Sequence, residues 1–398
     1  LIKNSISRQM LADVPVGAFL SGGIDSSAIV SLMQQQSSNA IKTFSVGFSE
    51  QEFDEAKYAK NIANLLGTEH TEIFVTAKDA QSVIPDLPNI FDEPFGDASG
   101  IPTYLVSKLA RGKVTVALSG DGGDELFSGY SRYIWGEKIW NEIQRFPPSF
   151  RKVIGKSITS LSPALIDKSY ELIRLALPQR YRVNAFGDKI HKFAEIVNSE
   201  DVEHFYRNLI SQHRGKNELV FGTSPQMTWA QSQCDMNHSE NFLDSVMFQD
   251  QVGYLPDDIL TKVDRAAMAV SLETRIPFLD HDIVELSWQI PQNFKIRDGH
   301  TKWVLRQILN KYVPAECFNR PKQGFTLPLE IWLRGPLRDW SEQLLDPKLI
   351  EEQGFLNVKV VRQKWDEHLS GRRNWHQWIW NVLMWQAWLG KNFRGLSH

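Results

Sequence analysis

Two glycine-flanked acidic segments of this chain carry residue types suited to holding a phosphate chain together with a divalent cation. The first is Leu20-Ser21-Gly22-Gly23-Ile24-Asp25-Ser26-Ser27 and the second is Ser119-Gly120-Asp121-Gly122-Gly123-Asp124-Glu125. Glycine lets the main chain approach a ligand with no Cβ in the way, and the serines add hydroxyl donors. A carboxylate inside a phosphate cradle repels its ligand unless a cation intervenes, so Asp25 and Asp124 are read as Mg²⁺ ligands. A serine-rich helix cap would explain the first segment by itself, and turn chemistry either acidic loop by itself. Occurring together, each after a strand, they point to chemistry. No Gly-x-x-x-x-Gly-Lys-[Ser/Thr] segment is present, so the loop is not the usual one for γ-phosphate transfer.

The elements that position these segments are legible as well. Val14 to Phe19 reads as a buried strand, and Ala28, Ile29, Leu32 and Met33 share one face of the helix that follows, which makes the first segment a strand-to-helix turn. Ile41 to Phe48 is a second strand, followed by a helix from about Asp54 that Gly67 stops. His70 to Val75 is a third strand, Thr103 to Ala110 a helix, and Val114 to Leu118 a fourth strand. Strands recurring with helices between them predict a parallel sheet with both faces covered and ligands at the strands' carboxyl ends. The fold class expected is therefore α/β, followed by a largely helical C-terminal part, with a division into 1–140 and 141–398.

Further along, Asp92-Glu93-Pro94-Phe95-Gly96-Asp97-Ala98-Ser99 is a third acid-rich loop before a helix. The runs Tyr254 to Arg265 and Ser271 to Asp280 mix aliphatics with acids and bases, which calls for paired charges near a cleft. Thr301 to Arg306 and Arg320 to Phe325 supply cations. A lysine placed there would stabilise the charge that gathers on departing pyrophosphate. The stretch 140–245 carries no assignable motif, and Arg174, Arg180, Arg182 and Lys189 read as a solvated basic face. Trp375, Trp378, Val382, Trp385 and Leu389 recur at helical steps and are expected to pack a last helix onto the body of the domain.

Composition narrows the classes. With 398 residues, 42% of them hydrophobic, the chain can bury a large core, and a net charge of −3 gives no general pull toward nucleic acid or anionic lipid. Two cysteines, Cys234 and Cys317, lack metal or redox spacing. Such cysteines are expected to be reduced thiols in a cytoplasmic location. The charge gives no reason to expect a nucleic-acid partner, and no apolar run is long enough to cross a bilayer, so no membrane partner is expected. The chain opens on Leu1 rather than Met, which suggests that a segment precedes it.

The first segment resembles the SGGxDS loop of the ATP-pyrophosphatase (PP-loop) families. Together with Ser45-Val46-Gly47-Phe48, Asp92-Glu93-Pro94, Leu118 to Tyr130 and Leu272 to Asp280, in that order, it makes the chain similar to the synthetase domain of glutamine-hydrolysing asparagine synthetases. That resemblance implies adenylation of the aspartate side-chain carboxylate by ATP with release of pyrophosphate, then attack by ammonia to give asparagine and AMP. It implies ATP and pyrophosphate contacts from Leu20, Ser21, Gly22, Gly23, Asp25, Ser26, Val46, Gly47, Ser119 and Gly120, with Mg²⁺ on Asp25 and Asp124. Asp121, Glu273, Lys302 and Lys322 are the catalytic candidates: Lys302 for charge on the adenylating phosphate, Lys322 for pyrophosphate. The family's partner is a glutaminase domain that supplies ammonia, and a homodimer is a further expectation.

One position departs from the best-known members. Asp121 stands where they carry glutamate for the incoming ammonia, and being one methylene shorter it sets its carboxylate ~1.5 Å further back. This leaves the acceptor acid open between aspartate and another carboxylate, such as a uronic acid or a β-lactam precursor. A non-catalytic nucleotide-binding subunit is a weaker reading, since both acids and both lysines are present. A tRNA-modifying relative is disfavoured by the net acidity.

Overall fold

The computed structural model of the protein describes residues 1–48, 56–161, 166, 169–170, 186–211, 219–222, 241–319 and 327–393. The chain forms two compact units, and neither is continuous in sequence. The first comprises 1–131, 250–328 and 380–398, and the second 132–249 and 329–379. A linear division near residue 140 therefore does not describe the units, because the chain returns to the first one twice.

The first unit is built on five parallel strands in the order β3-β2-β1-β4-β5. They are β1 (Val16–Phe19), β2 (Lys42–Phe48), β3 (Glu69–Val75), β4 (Val116–Leu118) and β5 (Glu273–Arg275). The helices used below are α1 (Ile2–Gln9), α2 (Ile24–Gln36), α3 (Ala56–Leu66), α4 (Gly100–Arg111), α5 (Gly123–Leu126), α6 (Thr261–Met268) and α7 (Trp303–Leu309). The expected α/β sheet is present, with its first four strands where the apolar runs placed them. The chain winds from β1 outward through β2 to β3, then crosses to the other side of β1 for β4. That reversal opens a crevice at the carboxyl ends of β1 and β4, the usual ligand position in sheets of this kind.

Residues Ser26 to Met33 of α2 are all buried, not only its apolar face. The helix lies in the core, with α1, α3 and α7 packed on it. Three of the buried positions are serines, and Ser31 satisfies its hydroxyl on the Ser27 carbonyl at 2.7 Å. Ala18, Leu20, Ile29, Val30, Met33, Leu118, Phe278 and Leu305 belong to one core cluster, so the roots of both glycine loops and of α7 share a packed foundation.

A π-helix, Asp250–Leu260, carries Pro256 in its interior and leads directly into α6. π-Turns are rare and often lie beside functional sites. The helix His376–Asn392 buries Trp378, Val382 and Leu389 as its spacing predicts, but it begins one residue after Trp375, and Trp385 is only half-buried. Trp388, one turn after Trp385, donates its indole N–H to the Asp92 carbonyl at 2.7 Å.

The second unit is helical among its described residues. Trp140, Phe205 and Phe242 pack ring against ring, and Arg132 donates to the Tyr206 hydroxyl. Arg174, Arg180, Arg182, Cys234 and the side chain of Lys189 lie outside the described residues. Among the described residues no helix is long and apolar enough to cross a membrane.

Candidate active site

The Ser21 to Ser27 turn leaves β1 after Leu20, whose N–H still pairs with the Phe44 carbonyl at 2.9 Å. The Leu20 side chain is 1% exposed and belongs to the core, so only its backbone can serve a ligand. The turn closes on itself: the Ser21 and Ser26 hydroxyls lie 3.0 Å apart, and the Gly23 N–H donates to the Ser21 hydroxyl at 3.3 Å. Gly22 has φ of +75°, and a Cβ there would strike the Tyr58 and Ala59 backbone at 2.8 Å. Gly23 caps α2, whose first N–H groups have no partner within the helix. These donors and the helix dipole suit a phosphate.

The second loop meets the first across the crevice. A Cβ on Gly120 would lie 2.8 Å from the Ser26 nitrogen and 2.9 Å from the Asp25 carbonyl carbon, and one on Gly123 would reach the Asp25 carboxylate. The glycines of the second loop are therefore what allow it to rest on the first. Ser119 donates from its backbone to the Arg275 carbonyl at 2.9 Å and from its hydroxyl to Asp121 at 2.5 Å, which ties the loop to β5 and orients Asp121. Gly122, at φ +81°, turns the chain into α5 and so delivers Asp124.

Asp25 and Asp124 converge on one cation, the Lys302 ammonium. Its Nζ is 2.7 Å from Asp124 Oδ1 and in direct contact with Asp25 Oδ2. Lys302 is 4% exposed and caps α7 in a left-handed conformation, φ +54°. Burial works against its charge, but Asp124 and Asp25 outweigh burial and hold its pKa above the ordinary lysine value. A non-glycine residue in that conformation persists only where its surroundings over-determine it. Two neighbouring carboxylates with hard oxygen donors, beside glycine cradles open to a phosphate chain, fit a Mg²⁺ that keeps most of its ligands from phosphate and water.

Val46 is 3% exposed, and with Gly47 it lies beyond the last β1–β2 pair, Phe19 with Phe44. Strand β2 thus projects past β1 at the carboxyl end, level with the Ser21 turn. Glu273 opens β5 at the opposite, amino end of its strand, pairs with Arg275 at 2.7 Å and is exposed. The structure does not bring it together with Asp25, Asp121, Asp124 and Lys302. Lys322 lies outside the described residues.

Sequence reasoning left several residues of the site unassigned. Glu125 is 1% exposed, and burial, reinforced by Asp124, pushes its carboxyl up to about 7. Tyr130 donates its hydroxyl to Glu125 at 2.5 Å and packs edge-on to Tyr254 of the π-helix, while Gln251 donates to the Glu125 carbonyl at 3.0 Å. Arg306, one turn along α7 from Lys302, is half-buried, and burial lowers its pKa against the pull of Asp25. A second charged cluster joins Asp97 to Lys262 at 2.8 Å, with the Asp258 and Asp121 carboxylates both within electrostatic reach of Lys262. Nearby, Arg265 pairs with Asp92 at 2.6 Å. The signal in the sequence was the set of charges embedded in the aliphatic run from Tyr254 to Arg265.

Comparison with known proteins places the chain in a family. The family description Asparagine synthase matches residues 1–390. Glutamine-hydrolyzing asparagine synthetase 1 of Bacillus subtilis is 34% identical over 388 residues, which cover 97% of this chain and 58% of that relative. A putative glutamine-hydrolyzing asparagine synthetase of Mycobacterium tuberculosis is 31% identical over 391 residues, 98% of this chain and 56% of that protein. Amidase chyE of Penicillium rubens is 23% identical over 386 residues, 90% of this chain and 56% of that protein. The chain spans 58% or less of the length of these relatives. With a family match across residues 1–390 and relatives above 30% identity over nearly its full length, the chain belongs to the asparagine synthase family.

Proposed function

We propose that this chain forms amides at the expense of ATP, by adenylating a carboxylate, releasing pyrophosphate and admitting ammonia to the acyl adenylate. Aspartate is the acceptor this reading favours, with asparagine the product. The observation that carries it is the convergence of Asp25, Asp124 and Lys302 at the crevice between β1 and β4. Asp25 and Asp124 would hold Mg²⁺, which would supply neutralising charge for the β- and γ-phosphates that leave as pyrophosphate. The N–H groups of the Ser21 to Ser27 turn bind the same phosphates, and Val46 and Gly47 offer the edge of β2 to the adenosine. Lys302 answers the negative charge that grows as the α–β bond breaks, an interaction stronger in the transition state than in the ground state. Lys322 is assigned to pyrophosphate by its place in the motif, and Asp121, held by Ser119, faces the nitrogen nucleophile.

In the second step ammonia attacks the acyl carbon, AMP leaves with one oxygen of the original carboxylate, and one proton departs from nitrogen. Ammonia from a glutaminase domain, as the names of the glutamine-hydrolyzing relatives suggest, belongs to this reading. The likeness to an amidase keeps a second acceptor in view, a carboxylate other than aspartate. Pyrophosphate release measured with ATP, Mg²⁺, ammonia and either L-aspartate or a panel of uronic and N-substituted amino acids separates the two. Release with aspartate alone supports asparagine formation, and release only with another acid transfers the assignment to that acid.

A further inference from the structure

We infer that Arg306 is the positioning residue for Lys302: its guanidinium ties the peptide that enters Lys302 to Asn319, and so holds the left-handed turn from which the ammonium reaches Asp25 and Asp124. The inference rests on the amide-forming reading for the role of Lys302 and on this clamp for its own content. The chain approaches Lys302 through a two-residue turn. Asp298 at φ +51° and Gly299 at φ +78° are both left-handed, and Arg297 and His300 exchange backbone hydrogen bonds at 3.0 and 2.8 Å across them. Asp-Gly is a pair that such a turn favours. On the far side α7 opens at Trp303, and the Arg297 guanidinium lies 5.0 Å from the centre of its ring, which ties the turn to the helix. Thr301 and Lys302 bridge turn and helix, with Lys302 at φ +54°. A glycine would take up that φ without strain, but it has no ammonium to place.

Arg306 supplies what holds that strain in place. Its Nε donates to the Thr301 carbonyl at 2.8 Å, and its Nη1 donates to Asn319 Oδ1 at 3.2 Å. The Thr301 carbonyl belongs to the planar peptide between Thr301 and Lys302, so fixing it fixes the φ of Lys302. The Arg306 N–H donates to the Lys302 carbonyl at 2.9 Å, so one residue holds both peptides that flank the lysine. Asn319 is a firm outer anchor. Its own N–H donates to the Ala315 carbonyl at 2.8 Å, and its neighbour Phe318 is 3% exposed in the core cluster shared with Leu305 and Leu309 of α7. The planar guanidinium fork carries separate donors in fixed directions, whereas a lysine has one nitrogen and cannot reproduce it. Geometry, more than charge, is what Arg306 contributes.

Labelling of lysines with acetic anhydride, read by mass spectrometry on the nucleotide-free protein, tests the clamp without turnover. Lys302 is 4% exposed, and Lys262 on α6, with a side chain 12% exposed and paired with Asp97, is the internal control. In Arg306→Ala and Arg306→Lys, labelling of Lys302 is expected to rise about 10-fold or more while that of Lys262 stays as in the unaltered protein. Unchanged labelling of Lys302 overturns the inference, and so does a parallel rise at Lys262, which would mean general loosening. Should Arg306→Ala fail to fold, Arg306→Lys and a change at the exposed anchor, Asn319→Ala, carry the test on the same criteria. In turnover, each Arg306 variant should lower kcat for pyrophosphate release about 10- to 100-fold with KM for ATP little changed. The double variant with Lys302→Ala should be no slower than Lys302→Ala alone, because Arg306 acts through that lysine. Full kcat in Arg306→Lys, or losses that multiply in the double variant, would also overturn the inference. Failure of the unaltered protein to release pyrophosphate with any acid would remove the amide-forming reading, and the labelling would still decide the clamp.

Discussion

The Lys302 ammonium lies 2.7 Å from Asp124 Oδ1, and the two residues are 178 positions apart in the chain. The same ammonium touches Asp25, so one buried cation holds together the two loops that the sheet reversal brings to the crevice. Removing it leaves two close carboxylates uncompensated. Lys302→Met is therefore expected to destabilise the metal-free protein by about 3–5 kcal/mol, the usual cost of breaking a buried ion pair from one side. Mg²⁺ should recover more stability in this variant than in the unaltered protein, as read by thermal unfolding with and without the ion. Equal Mg²⁺ effects in both proteins would remove the metal assignment from Asp25 and Asp124.

The same lysine has a kinetic signature. Lys302→Ala should lower kcat for pyrophosphate release by about 100-fold or more while changing KM for ATP far less, because its contact strengthens as charge develops. Steady-state kinetics over a range of ATP concentrations supply the split, and an unchanged kcat contradicts the role. Asp25→Asn and Asp124→Asn should each abolish Mg²⁺-dependent pyrophosphate release with the fold retained.

Gly120 tests the meeting of the loops without touching a charge. Its φ is not in the left-handed region, so alanine is barred only by space, with its Cβ 2.8 Å from the Ser26 nitrogen. Backbone cannot give way as a side chain can, and Gly120→Ala is expected to cost about 1–3 kcal/mol and to part the two loops. Activity should fall far more than stability. Normal pyrophosphate release in this variant would show that the loops act independently.

Asp258 predicts a pH dependence of stability. Its ordinary carboxyl value of 3.8 is raised to about 7 in the folded chain. Between those values the folded state keeps a proton that the unfolded state has lost, so this contribution to stability falls as pH rises and levels off above about 7. Glu125, raised from 4.5 to about 7, acts in the same direction. Melting temperatures measured from pH 5 to 8 should decline, and Asp258→Asn should flatten part of that decline. An identical profile in the variant would contradict it.

How much of this could be read from the sequence follows from what each element is made of. Strands β1, β2, β3 and β4 are apolar runs punctuated by glycine loops, and their order and direction were legible. Strand β5 is three residues, Glu273 to Arg275, two of them charged, and it is a strand only because β4 lies beside it. The helix α1 was also missed, since only Ile2 and Ile6 mark its inner face, and it gains its place through Ser5 on the Pro277 carbonyl and Arg8 on Asp280. Within the site, the acids and glycines of both loops could be read because their spacing after a strand is local. That Lys302 sits between Asp25 and Asp124, or that Asp97 meets Lys262 across 165 positions, is tertiary information that no local pattern contains. Glu273 shows the converse: motif membership suggested a catalytic role, while its position at the amino end of β5 sets it apart from the converging acids.

The central claim, cleavage of ATP between the α- and β-phosphates to activate a carboxylate, is tested most directly by following an oxygen. The protein is incubated with ATP, Mg²⁺, ammonia and aspartate labelled with ¹⁸O in its side-chain carboxylate, and the nucleotide products are weighed by mass spectrometry. The account predicts AMP carrying one ¹⁸O, pyrophosphate in equal amount, and asparagine. Formation of ADP and inorganic phosphate, or of AMP without the label, would contradict it.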